Sequence, residues 1–202
     1  MCSRLDAQRD VVMQHFDIDS GNAAARDAKW GEIFPTDPML IIGCAPQPTL
    51  RRWGLVADWS KRPLINARAE EVTGKRSFQP FLRNRCLIPV TGYYEWRIDG
   101  ERKVKTRIYT NGVLPMAGLM TADRFVLFTC APSPAIAHIH DRMPAILSDE
   151  EAIADWLNPG AEFAELQPLL VPYAKPLGFS EIDQPPTRAA RARPEPRQAS
   201  LF

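Results

Sequence analysis

The 202-residue chain contains no apolar run long enough to cross a bilayer, so no membrane-spanning helix is expected. Its opening residues, MCSRLDAQRD, lack the apolar stretch of a secretory leader, which makes the cytoplasm the expected compartment. Cysteine is scarce. Cys2, Cys44, Cys86 and Cys130 are widely spread with no C-x-x-C pair, which argues against a zinc ribbon and gives no disulfide framework. There is no G-x-G-x-x-G, no P-loop and no G-x-S-x-G, so nothing points to a dinucleotide fold, an NTPase or a serine hydrolase. Internal repeats are absent. Neither sign of charge is in excess: 25 Lys and Arg face 24 Asp and Glu, so any nucleic-acid surface must be a local basic face.

What is present reads as one α+β domain over residues 1–182 and a tail over 183–202. Leu5, Val12 and Phe16 make an apolar stripe that predicts a helix over 5–16. Residues 39–45 read as a buried strand and 53–57 as a second, short one. From Arg85 onward the pattern is an antiparallel meander. A strand over 85–97 meets a hairpin signal at Asp99-Gly100, and strands over 103–109 and 113–120 flank a second signal at Asn111-Gly112. A strand over 125–130 follows, then a short helix over 133–138 and a helix over 149–157 opened by Ser148-Asp149-Glu150-Glu151. The fold expected is a curled, largely antiparallel, barrel-like sheet with peripheral helices.

Several residues invite chemistry. A small residue at position 2 permits removal of Met1, which leaves Cys2 with an α-amine beside its thiol. Such an amine, with a pKa of about 7.7–8.0, is partly neutral near pH 7 and attacks carbonyls. The thiol then closes on the imine to give a thiazolidine with any accessible aldehyde, proximity driving the second step. On position alone, a small tolerated residue is the better reading. Asn66 and Arg68 place a neutral donor and a cation on one side of an extended segment, where Arg68 would clamp a phosphate; a turn asparagine with a surface arginine is the plainer alternative. Glu95 lies among aromatics in Thr91-Gly92-Tyr93-Tyr94-Glu95-Trp96. Desolvation there raises a carboxylate's pKa and suits it to proton transfer, which is favoured over a water-facing edge glutamate. His138 and His140 form an H-x-H pair with no third ligand in view, so no metal and no cofactor are expected. An acid–base role for one of them beside Glu95 is more economical, although singly each reads as structural. Trp53 and Trp59 interleave with Arg51, Arg52, Lys61 and Arg62, a mixture that suits single-stranded nucleic acid and ordinary loops alike.

The order of these motifs is more specific than any one of them. Met1-Cys2-x-Arg4, Trp53-Gly54, Pro63-Leu64-Ile65-Asn66-Ala67-Arg68-x-Glu70, Arg85-Cys86-Leu87-Ile88-Pro89 running to Gly92-Tyr93-Tyr94-Glu95-Trp96, and Ile139-His140-Asp141-Arg142-Met143-Pro144 with Ile146-Leu147 strongly resemble the SRAP family, the SOS-response-associated peptidases or abasic-site processing proteins. The resemblance covers roughly residues 2–157. It implies a monomer with a basic groove for single-stranded DNA, which senses abasic sites and shields them in a covalent thiazolidine crosslink. By matching motif, Cys2 is the crosslinking nucleophile, Asn66 holds the opened sugar, Glu95 manages protons and His140 assists ring opening. Arg4 and Arg68 match phosphate contacts, Thr129 a pocket-lining threonine, and Trp53 is assigned to the DNA side. Ser3 replaces the family's usual glycine, and Gly43-Cys44-Ala45-Pro46 lacks the asparagine of an Asn-x-Ala-Pro-like segment.

Two other function classes compete: a non-catalytic module for single-stranded DNA, and a cysteine peptidase using Cys2, His140 and Glu95. No sequence feature announces the oxyanion hole that a peptidase needs. Residues 183–202, rich in Pro, Ala and Arg, read as a disordered basic tail. It ends Gln198-Ala199-Ser200-Leu201-Phe202, which resembles the short peptide by which bacterial replication proteins dock on the β sliding clamp. There Gln198 would bond at a pocket rim, and Leu201 and Phe202 would fill it, holding the domain at the nucleoid during replication.

Overall fold

The structure is a computed structural model that describes residues 2–45 and 47–182; the tail over 183–202, with Gln198, Leu201 and Phe202, lies outside the described residues. In chain order the strands are β1 (Leu5–Ala7), β2 (Gly31–Ile33), β3 (Pro38–Gly43), β4 (Thr49–Trp53), β5 (Asn66–Arg68), β6 (Arg85–Asp99), β7 (Arg102–Met120), β8 (Arg124–Cys130), β9 (Met143–Pro144) and β10 (Gly178–Ile182). Among the described residues four short α-helices, α1 (Arg9–His15), α2 (Ala23–Asp27), α3 (Glu150–Leu157) and α4 (Phe163–Leu166), lie between them.

The long strands β6 and β7 form one hairpin, with Asp99 paired to Arg102 and Gly100 at φ 59°, as the Asp-Gly signal predicts. Residues 85–90 of β6 pair with 114–119 of β7, and the order β7-β8-β4-β3-β6, with β6 returning to β7, closes a five-stranded barrel. β4 and β5 run parallel to β8; the other pairings are antiparallel. The register shifts between Val90 and Gly92, and the hairpin then projects beyond the barrel. There it takes β10 along β7, and β1 followed by β2 along β6. The expected α+β class and curled sheet are borne out. The barrel filling includes Trp53, Phe125, Phe128 and Trp156, all wholly buried. Among the described residues no helix is long and apolar enough to cross a membrane.

Four local expectations change. The helix predicted over 5–16 starts only at Arg9, because residues 5–7 are buried between β2 and β6 and the two ladders take up their backbone groups. Tertiary pairing overrides the helical stripe there. The short strand placed at 53–57 runs instead over Thr49–Trp53. Asn111-Gly112 makes no turn, since the segments on either side of it pair with the same strand, β6. In place of the helix expected over 133–138, residues 134–139 form turns, with Ile136 N–H donating to the Ser133 carbonyl at 3.1 Å. The helix expected over 149–157 is α3, capped by Asp149, whose Oδ1 accepts from Ala152 N–H at 2.9 Å.

Candidate functional site

The site is assembled where the start of the chain lies against β6. Leu5 pairs with both Ile33 and Tyr93, and Tyr94 N–H donates to the Arg4 carbonyl at 3.0 Å, so residues 2–4 continue toward Glu95. From β5, Asn66 Nδ2 donates to the Cys2 carbonyl at 2.8 Å. Cys2 is wholly buried, and its thiol donates to the Arg4 carbonyl at 3.6 Å. Burial, and then the nearby Glu95 charge, push the thiol well above its ordinary pKa.

Side chains alternate along β6, which sends Tyr93 and Glu95 to the same face. Glu95 is 2% exposed, and burial raises its carboxyl to about 7. Its Oε2 lies 3.6 Å from His140 Nε2, in the segment that leads into β9. Burial pulls His140 below the ordinary imidazole value, so the ring is neutral near pH 7. The Arg142 backbone N–H lies 3.0 Å from His140 Nδ1, which accepts from it when the ring is neutral with its proton on Nε2. Asp141 Oδ1 stands 2.9 Å from the same Nδ1 and would accept its proton in a charged ring. The sequence-predicted Cys2, Asn66, Glu95 and His140 are thus brought together: a candidate nucleophile held by its own carbonyl, and beside it a carboxyl–imidazole pair of the kind that can exchange a proton near neutrality.

The remaining expectations separate. Arg4 and Arg68 keep part of their guanidinium groups at the surface. Arg4 lies over the Phe34 ring at 3.9 Å with Nε 3.7 Å from Glu32, and Arg68 pairs with Glu71 at 2.7 Å. Thr129 does not line an open pocket. It is wholly buried, and Arg142, itself paired to Glu70 at 2.5 and 3.0 Å, donates to its carbonyl at 2.7 Å and to its hydroxyl at 3.3 Å. Trp53 offers no face to a base either. Its indole is wholly buried, stacks on Phe125 at 6.4 Å, and donates from Nε1 to the Ile65 carbonyl at 2.9 Å. The exposed aromatic of that region is Trp59, 72% exposed.

Two grooves reach the site. One, of about 590 Å³, is lined by Glu95, Trp96, Lys103, His138 and His140. The other, of about 300 Å³, is lined by Trp59, Asn66, Arg68, Lys75 and Phe78. Basic and aromatic side chains occur in both, a pairing that suits phosphates and bases. Sequence reasoning missed Tyr93. Its hydroxyl is buried and has no hydrogen-bond partner among the described residues, as is also true of Asn66 Oδ1 and Glu95 Oε1. The signal was its i−2 spacing from Glu95 on a strand.

The model of the SOS response associated peptidase (SRAP) family matches residues 1–185. The chain is 34% identical over 197 residues to the abasic site processing protein YoaM of Bacillus subtilis (strain 168), with 86% of each chain covered. It is 33% identical over 118 residues to the abasic site processing protein YedK of Escherichia coli (strain K12), covering 52% of this chain and 53% of that protein. Among solved structures, a protein from Bacteroides thetaiotaomicron superposes with a TM-score of 0.74 at 24% identity, over 90% of this chain and 92% of that one, a likeness of fold.

Proposed function

The chain belongs to the SRAP family, and from that membership we propose that it processes abasic sites in single-stranded DNA by bonding to them through Cys2. Removal of Met1 puts the α-amine and the thiol on the same residue. An abasic sugar is mostly a closed hemiacetal, and its ring must open before an aldehyde is available. Glu95 and His140 together move the two protons that ring opening needs, one onto the ring oxygen and one off the hydroxyl. The α-amine of Cys2 then attacks the aldehyde carbon, water leaves, and the thiol adds to the imine carbon to close a thiazolidine. Asn66 fixes the residue while this occurs, with its own Oδ1 turned to the opened sugar.

The observation that carries this reading is the Asn66–Cys2 hydrogen bond of 2.8 Å beside a carboxyl that titrates at about 7. The names of the relatives, abasic site processing proteins, support the substrate class. Arg4 and Arg68 clamp phosphates on either side of the lesion, and the two grooves carry the flanking strand. Because Cys2 is buried, the sugar must be drawn in, which favours single strand over stacked duplex. The terminal peptide at Gln198, Leu201 and Phe202, outside the described residues, serves as a sliding-clamp tether in the same scheme.

The test mixes the purified chain with a single-stranded oligonucleotide bearing one abasic site and resolves the products on a denaturing gel. A heat-resistant adduct whose mass is the sum of Met1-free protein and DNA less one water is expected, and its loss in Cys2→Ala. An adduct that persists in Cys2→Ala, or full activity with Met1 retained, would overturn the proposal.

A further inference from the structure

Tyr93 is buried to 0% exposure within the same core as Cys2, and its ladder partner is Leu5, three residues beyond that cysteine. A buried hydroxyl without a partner is costly, and core tyrosines ordinarily find one. Phenylalanine would fill the same space without that cost, so packing does not account for the oxygen. Burial, and then the neighbouring Cys2 and Glu95, hold the phenol far above its ordinary pKa. It therefore keeps its proton and acts only as a donor.

The resting thiol gives its hydrogen to the Arg4 carbonyl. Once that hydrogen leaves, an oxygen lone pair faces a sulfur anion, and the sulfur needs a donor. Asn66 Nδ2 already holds the Cys2 carbonyl, and Glu95 enters the step as a carboxylate that accepts the thiol proton. We infer that Tyr93 is a further catalytic residue, its hydroxyl donating a hydrogen bond to the Cys2 sulfur as the thiazolidine ring closes. The inference rests on the crosslinking reading above. In the step it assists, the thiol proton passes to the Glu95 carboxylate, a bond forms between Sγ and the iminium carbon, and the π pair of that C=N bond moves to nitrogen. Tyr93 exchanges no proton; it stabilises the sulfur charge between proton loss and bond formation.

The test uses the intact Met1-free chain and Tyr93→Phe, with two readouts. Without DNA, the rate at which Cys2 reacts with methyl methanethiosulfonate at pH 8, read by mass of the N-terminal peptide, reports the thiolate fraction. With abasic single-stranded DNA, borohydride trapping reports the imine and heat-stable adduct reports ring closure. Tyr93→Phe should slow thiol modification and ring closure about tenfold each while the imine forms at the wild-type rate. Unchanged thiol reactivity together with unchanged ring closure would overturn the role, as would equal slowing of imine and ring closure. A chain that forms no adduct at all but loses thiol reactivity in Tyr93→Phe would overturn the crosslinking reading and leave the Tyr93–sulfur bond standing. If Tyr93→Phe fails to fold, 3,5-difluorotyrosine at position 93 decides: a stronger donor should speed ring closure, and no change in rate would end the idea.

Discussion

Asn66 Nδ2 and the carbonyl oxygen of Cys2, 64 residues apart in the chain, meet at 2.8 Å and tie the start of the chain to β5. A hydrogen bond of this kind contributes about 0.5–1.5 kcal/mol net to stability. In the proposed reaction its effect should be larger, because there it would fix the orientation of the attacking residue. Asn66→Ala is expected to lower unfolding stability by about 1 kcal/mol and to slow adduct formation by roughly 10²-fold. Denaturant melts and single-turnover gels read the two effects; a rate loss no greater than the stability loss would reduce Asn66 to a structural residue.

Glu95 gives a pH signature. Its folded value of about 7 lies above the ordinary 4.5, so between those pH values the folded chain holds a proton that the unfolded chain has released. Stability then falls as pH rises through that window. Glu95→Gln removes the effect, and the advantage of the variant over wild type should grow by roughly 3 kcal/mol from pH 4.5 to pH 8. Urea midpoints across the range measure it. The same variant should slow crosslinking about 10²–10⁴-fold with little change in DNA affinity.

Arg85 is a wholly buried cation that donates to four carbonyls: Trp156 at 2.8 Å, Asn158 at 2.5 Å, and Leu82 and Ala161 at 3.2 Å. Two of these acceptors belong to the end of α3 and its cap, where a positive charge also meets the negative pole of the helix. Arg85→Met leaves them without donors and should cost roughly 3–5 kcal/mol of unfolding free energy. Arg85→Lys, with a compact ammonium in place of the planar fork, should recover only part of that loss.

The DNA side is tested by salt. Arg4→Gln and Arg68→Gln should each weaken binding to single-stranded DNA without an abasic site and reduce the log–log salt slope by about 0.7. Glu32, 3.7 Å from Arg4 and also paired to Lys105 at 2.6 Å, competes for that guanidinium. Glu32→Gln should therefore tighten binding. A slope unchanged in Arg4→Gln would remove Arg4 from the phosphate track.

Much of this arrangement was legible in the sequence, and the exceptions share a cause. Cys2, Asn66, Glu95 and His140 stand in short motifs whose order is distinctive, so they were found before any geometry. β6 was visible because Arg85–Asp99 is rich in β-branched and aromatic residues. β1 was not, since Leu5, Val12 and Phe16 make an acceptable helical stripe and only the flanking ladders of β2 and β6 decide against it. Tyr93 was hidden because residues 85–93 are buried throughout, and alternation does not mark a functional face when both faces are covered.

Trp53 and Trp59 make the sharpest case, because both sit among arginines and lysines and look equivalent in sequence. The fold separates them. Trp53 ends β4 and stacks on Phe125 with its Nε1 satisfied by the Ile65 carbonyl, whereas Trp59 stands 72% exposed with Nε1 on Ser77 Oγ at 3.2 Å. Trp53→Ala should then cost about 3–5 kcal/mol of stability, and any loss of DNA binding should disappear under conditions where the variant is fully folded. Trp59→Ala should leave stability within about 0.5 kcal/mol, yet weaken binding to single-stranded DNA by about 1–3 kcal/mol, the worth of one stacked base. Circular-dichroism melts and fluorescence-anisotropy titrations on both variants check the contrast. If Trp59→Ala bound single-stranded DNA as tightly as wild type, the groove lined by Trp59, Arg68, Lys75 and Phe78 would not carry the strand, and the DNA path would have to run through Trp96 and Lys103 alone.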